Sequence, residues 1–197
     1  ELFPDAVWVP STKPGYILAA LCREKLGEYE KSHGRIPQII FLENHGIFIS
    51  ADTTEEIDSL AKEVFEKIKK KVVIFPCREK VACDEALAET LAPEIRMLYS
   101  AEGKSVVKYT AYHDIIAFAR DRKAFSPLAG SFSPDHIVYC KAHPLYVENK
   151  GDETPAELEK AFRDYTEKNG FMPKIIFVQD VGMFACGGTK KEAETAS

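Results

Sequence analysis

The residues with the best claim to chemistry are Glu43-Asn44-His45-Gly46. A histidine on a tight turn between two apolar strands is held rigidly and can aim one ring nitrogen at a metal ion or a substrate. A glycine beside it lets another group come close. Taken as a tetrapeptide, the plainer reading is a turn histidine whose ring caps a neighbouring backbone group. The other histidines, His33, His113, His136 and His143, make no His-x-His pair, and catalytic zinc needs about three protein ligands. His136 follows Pro-Asp and His143 precedes a proline, so both read as surface residues. Tyr109, Tyr112 and His113 could form an acid/base cluster, although alternating polar and aromatic residues at a strand edge explain them more simply. Cys186-Gly187-Gly188-Thr189 lacks the Gly-Lys-Ser/Thr ending of a phosphate loop and reads as a turn. No Gly-x-Gly-x-x-Gly fingerprint is present, so no dinucleotide-binding unit is expected in this chain.

An internal repeat supplies the elements that must position these residues. Residues 28–56 and 164–192 align without a gap at 10 identical positions of 29, where chance gives roughly two. The shared positions are punctuation: Tyr29/Tyr165, Gly34/Gly170, Pro37/Pro173, Phe41/Phe177, Gly46/Gly182 and Thr53/Thr189. Upstream, Pro4-Asp5-Ala6-Val7 pairs with Pro134-Asp135-His136-Ile137, and Pro14 with Pro144. Each copy then reads as a short strand (Ala6–Pro10 or His136–Cys140), a helix, and two apolar strands. In copy one the helix runs from about Gly15 to His33, and the strands Gln38–Leu42 and Ile47–Ser50 flank the His45 turn at hairpin spacing. In copy two the capping box Thr154-Pro155-Ala156-Glu157 opens the helix, and Val181 stands where copy one has His45. An apolar side chain cannot ligate a metal, so copy two reads as a structural pseudo-repeat.

Thr53-Thr54-Glu55-Glu56 is a second capping box. It precedes Ile57, Leu60, Ala61, Val64, Phe65 and Ile68, the spacing of an amphipathic helix. Lys69-Lys70-Lys71 reads as the solvated end of that helix, and Val72–Phe75 as strand-like. Residues 84–99 read as a helix kinked or broken at Pro93, Val106–Tyr109 as a strand, and Asp114–Arg122 as a short helix. The whole is expected to be α/β, a mainly antiparallel sheet covered by helices. Its expected divisions are residues 1–75 and 76–197.

Composition bounds the partners. The net charge of −5 over 197 residues gives no global electrostatic support for nucleic acid or an anionic membrane. The longest apolar runs are four or five residues, far short of the roughly 20 a membrane helix needs. Five cysteines without a Cys-x-x-Cys pair suit reduced thiols in the cytoplasm. The chain starts at Glu1 without an initiator Met, and its second repeat stops at Ser197 a few residues into the last helix. Both features are expected of a piece of a longer polypeptide.

Ala6-Val7-Trp8-Val9-Pro10-Ser11-Thr12-Lys13-Pro14-Gly15 ahead of a helix, the Asn44-His45-Gly46 hairpin and the capped helix after it resemble the C-terminal half of a class II aldolase/adducin domain. Phe132–Tyr139, Pro144–Val147 and Val181–Ala185 sharpen the likeness. They resemble the aldolase-like region of the rhamnulose-1-phosphate aldolase/alcohol dehydrogenase subfamily, in which that region is fused to a short-chain dehydrogenase. The resemblance implies a three-layer αβα fold and a homo-oligomer. It implies a divalent metal, usually zinc, that three histidines hold while a sugar or sugar phosphate undergoes retro-aldol cleavage. Two of those histidines come from a His-x-His motif and one from the Asn-His-Gly hairpin. Only the last carries over, as His45. On this reading residues 1–75 are the C-terminal half of one aldolase-like unit, and residues 76–197 are a second unit without the metal histidine. An adducin-like binding or oligomerisation module, catalytically silent, is the alternative.

Overall fold

The computed structural model describes residues 2–100 and 103–197, and the chain forms two compact units, Glu1–Phe75 and Pro76–Ser197. In the first, β1 (Val7–Val9), α1 (Tyr16–His33), β2 (Ile39–Leu42), β3 (Gly46–Ile49) and α2 (Thr54–Lys69) follow one another. The sheet order is β1-β2-β3, with β1 parallel and β3 antiparallel to β2. The alternation along these strands sends Val7, Val9 and Leu42 to one face, where they are buried with Leu18 and Tyr29 of α1. Phe41 faces the other way, against the rings of Phe3 and Trp8. Half of the capping box expected at Thr53 forms: the Thr53 hydroxyl accepts from Glu56 N–H, while the Glu56 carboxylate reaches past the cap residue to accept from Asp52 N–H.

The second unit holds α3 (Glu85–Tyr99), β4 (Val106–Thr110), α4 (His113–Ala119), α5 (Arg122–Phe125) and α6 (Pro134–Cys140). It continues with β5 (Leu145–Val147), α7 (Thr154–Asn169), β6 (Ile175–Val178), β7 (Gly182–Gly187) and α8 (Lys190–Thr195). Its sheet runs β4-β7-β6-β5, antiparallel except for β5 on β6. Three layers result. Leu91 and Ile95 of α3 and Leu158 and Phe162 of α7 pack on Val147, Ile176, Val178 and Phe184. Ala119, Phe125 and Ala196 close the opposite face over Tyr146, Phe177 and Met183. Each large apolar side chain so buried stabilises by roughly 1.5–3 kcal/mol relative to exposure.

The two repeats share one backbone plan. β2/β3 and β6/β7 pair in the same register, Leu42 opposite Gly46 and Val178 opposite Gly182. α1 and α7 each end on a left-handed glycine, Gly34 at φ 69° and Gly170 at φ 75°. The Tyr29 hydroxyl donates to Asp5 O at 3.2 Å, and the Tyr165 hydroxyl to His143 O at 2.6 Å. These matches move the upstream alignment. The counterpart of β1 is β5, since Val7–Val9 and Leu145–Val147 take equivalent parallel positions on β2 and β6.

Three expectations are corrected here and one is narrowed. His136–Cys140 is helical, not a strand: Ser133 caps α6 by accepting from His136 N–H, with Pro134 in the first turn. Val72–Phe75 is β-branched and aromatic but finds no strand to pair with among the described residues and lies exposed. Of the kink or break expected at Pro93, the break does not occur: α3 runs from Glu85 to Tyr99 with Pro93 inside it. Thr154 is not an N-cap but the first residue of α7. Its hydroxyl accepts from Lys150 N–H and donates to Asn149, while Glu157 pairs with Lys150.

Candidate functional site

His45 sits at the tip of the β2–β3 hairpin and is exposed. The turn is built by its neighbours. Asn44 takes a left-handed conformation, φ 58°, which a short polar side chain tolerates. His45 N–H returns to Leu42 O at 3.0 Å, and Glu43 N–H to Val9 O at 3.0 Å. Gly46, at φ 153°, supplies a backbone conformation that a side chain would strain. The Glu43 carboxylate accepts from Ser11 N–H at 2.8 Å and ties the turn to the loop after β1. That brace spans 32 residues, so sequence spacing could not reveal it. Beside the turn runs a groove of about 680 Å³, bordered by Leu18, Cys22 and Leu26 of α1 and by Leu42, His45 and Phe48.

Copy two builds the same turn: Asp180 at φ 56°, Gly182 at φ 143°, Val181 N–H to Val178 O at 3.1 Å and Gln179 N–H to Val147 O at 2.9 Å. Here, however, the turn is covered. Val181 is fully buried, and the Tyr109 hydroxyl donates to its carbonyl at 2.7 Å. The Cys83 thiol lies 3.2 Å from the same hydroxyl. Burial, then the contact with Cys83, pushes the Tyr109 phenol well above its ordinary value. A Cβ on Gly182 would meet Thr110 O at 2.7 Å and the Tyr109 ring at 2.9 Å, whereas one on Gly46 would meet nothing within 4 Å. One hairpin is thus closed by β4 and the other is open.

The remaining candidates do not gather around His45. Tyr109 serves the Val181 turn. His113 Nδ1 lies 3.1 Å from Asp114, whose carboxyl is held below its ordinary range by that contact and by Cys77 N–H. His143 Nδ1 is 3.1 Å from Ala129 O, on the surface as expected. His136 is not a plain surface residue. Its ring meets Phe132 edge-on at 4.7 Å, burial lowers its pKa, and its Nδ1 is enclosed without a hydrogen-bond partner among the described residues. The turn expected over Cys186–Thr189 is corrected: Cys186 and Gly187 are the paired end of β7, and only Gly188 and Thr189 bend, with Thr189 capping α8 by accepting from Glu192 N–H.

A divalent metal held by this chain alone does not fit these residues. Among the described residues no three His, Cys, Asp or Glu side chains come together as a metal site. His45 is a single ring, and Glu43 is engaged with Ser11. No described helix is long and apolar enough to cross a membrane.

Comparison with known proteins gives these features a family. No solved structure matches the chain significantly. Among curated proteins, the chain is 24% identical over 213 residues to the "Uncharacterized oxidoreductase YuxG" of Bacillus subtilis (strain 168). The match covers 92% of this chain but spans only 30% of that relative's length. The model of the family described as "Aldolase class II, second domain" matches residues 86–197. That segment is more than half of the chain and falls within the second compact unit, so the chain belongs to the class II aldolase family.

Proposed function

We propose that the chain is part of a metal-dependent, class II aldolase-type lyase acting on a sugar or sugar phosphate. In this reading His45 is one ligand of a divalent metal, zinc, and the two ligands of a His-x-His pair lie on polypeptide outside these 197 residues. Residues 1–75 are then the C-terminal half of one aldolase-like unit. Residues 76–197 are a second unit that keeps the fold and has lost the metal histidine. The observation that carries the proposal is the contrast between two otherwise matching turns, one presenting His45 to solvent and the other sealing Val181. The curated relative, named as an oxidoreductase and much longer than the match, supports a larger polypeptide that joins this region to an oxidoreductase. A cytoplasmic homo-oligomer completes the reading.

The test is a zinc titration and an aldol-cleavage assay on the complete gene product. Stoichiometric zinc and cleavage of a sugar phosphate, both lost on His45→Ala, are expected. The 197-residue chain alone should bind zinc no better than micromolar and cleave nothing. That no three-ligand cluster forms among the described residues favours one rival, a silent adducin-like binding or oligomerisation module. A complete gene product that binds no zinc and loses nothing on His45→Ala would establish that rival.

A further inference from the structure

The second unit shows what the first one lacks. On one face Phe184 is fully buried beneath α3 and α7, while its counterpart Phe48 is 58% exposed. On the other face Tyr146 is 6% exposed, its ring 5.0 Å from Phe125 of α5 and its hydroxyl on Ala119 O. Its counterpart Trp8 is 57% exposed. At the edge, β7 pairs with β4 from Gly187 to Met183, while among the described residues β3 pairs only with β2. Both uncovered faces and the open edge are accounted for by one absent element, a counterpart of the block from α3 through β4 to α5. The apolar groove beside α1 is the place that α3 fills on α7 in the second unit.

We propose that the open edge of β3 and the groove beside α1 bind a helix–strand–helix segment of the same polypeptide, lying ahead of unit one in sequence. Its helix carries an apolar stripe spaced like Ala88, Leu91 and Ile95 and seats on Leu18, Cys22, Leu26 and Phe48. Its strand pairs antiparallel with β3, as β4 does with β7, and its second helix covers Trp8. The argument for one covalent source is the order in the second unit, where α3, β4 and α5 all precede β5. Adding a strand to a free sheet edge satisfies its outward backbone groups. Ser50 N–H donates to Gln38 O at 2.9 Å, so the alternation of the ladder turns the N–H groups of Ile47 and Ile49 to the open side. The proposal rests on the internal repeat and stands whether or not His45 holds a metal.

Residue-resolved amide exchange, run with a chelator present so that metal plays no part, tests it. In the 197-residue chain Ile47 and Ile49 should exchange rapidly. In the complete gene product they should be slowed roughly 100-fold or more. Phe48→Glu should leave the 197-residue chain unchanged, because the side chain is exposed there, and should restore rapid exchange at Ile47 and Ile49 in the complete product. Rapid exchange at both residues in the complete product overturns the proposal. So does protection already present in the 197-residue chain, or protection that grows with concentration as the chain dimerises.

Discussion

His45 and Val181 show how one side chain divides two turns of the same backbone. A charged-capable ring at position 181 would have to give up water, so the valine suits the sealed site. Tyr109 does the sealing, and its hydroxyl is the donor that satisfies the enclosed Val181 carbonyl. Tyr109→Phe should therefore destabilise the second unit by about 1–3 kcal/mol, the cost of leaving a buried acceptor unpaired. Urea unfolding of the purified chain measures it, and a change below about 0.5 kcal/mol would mean that the carbonyl finds water instead. Cys186 gives a pH signature. Burial in β7 pushes its thiol from 9.0 up to about 12. Between those values the unfolded chain has released the proton that the folded chain keeps, so stability falls as pH rises through that window. Tyr109, also raised by burial, adds a loss of the same sign. Cys186→Ala should flatten the slope of stability against pH between 9 and 12. An unchanged slope would assign the alkaline loss elsewhere.

The hairpins carry the clearest contrast between equivalent elements. Gly46 and Gly182 share positive φ, so alanine strains both turns about equally, and the difference lies in what covers them. Gly182→Ala must push β4 away, since Thr110 O stands 2.7 Å from the new carbon. It should cost about 1–3 kcal/mol more than Gly46→Ala, the usual range for overpacking. Equal midpoints for the two variants in a thermal melt would show that β4 yields easily. This element was legible in the sequence because its signals are local: a two-residue alternation, a turn of fixed length, a glycine and a threonine cap. The strand assigned to His136–Cys140 was misread for the converse reason. Its apolar residues fit either period, and the deciding signal was Ser133-Pro134-Asp135, a helix start ahead of the run. The cover over Val181 was not legible at all. Tyr109 lies 72 residues from the carbonyl it seals, and only the β4–β7 register brings the two together. His45 was legible as a residue on a turn, but its open surroundings follow from a strand pairing that β3 does not make.

At the scale of the whole chain, the boundary between Phe75 and Pro76 separates units that differ in completeness. The second has a three-layer core and an edge strand, and the family match lies wholly within it. The first is smaller, and small domains bury proportionally less of their surface. It leaves aromatic side chains on both faces of its sheet, Trp8 and Phe48 among them, more than half exposed. The segment that joins them, Lys69-Lys70-Lys71 followed by Val72–Phe75, is exposed through Val73 at 94% and Ile74 at 85%, and it carries three trypsin sites. Exposed segments between packed units are preferred sites of nicking. Limited trypsin digestion should therefore cut first at Lys69–Lys71 and release a stable fragment close to residues 72–197. That fragment should melt in a single cooperative transition, because both faces of its sheet are covered within the fragment itself. The N-terminal fragment should melt at a lower temperature and bind a dye that reports exposed apolar surface. Mass spectrometry of the first cleavage products, followed by calorimetry of each fragment, decides the matter. A first cut inside α3 or β7, or a C-terminal fragment that unfolds without a cooperative transition, would show that the second unit does not hold its fold by itself. The contrast in cover between Val181 and His45 would then depend on contacts outside the unit.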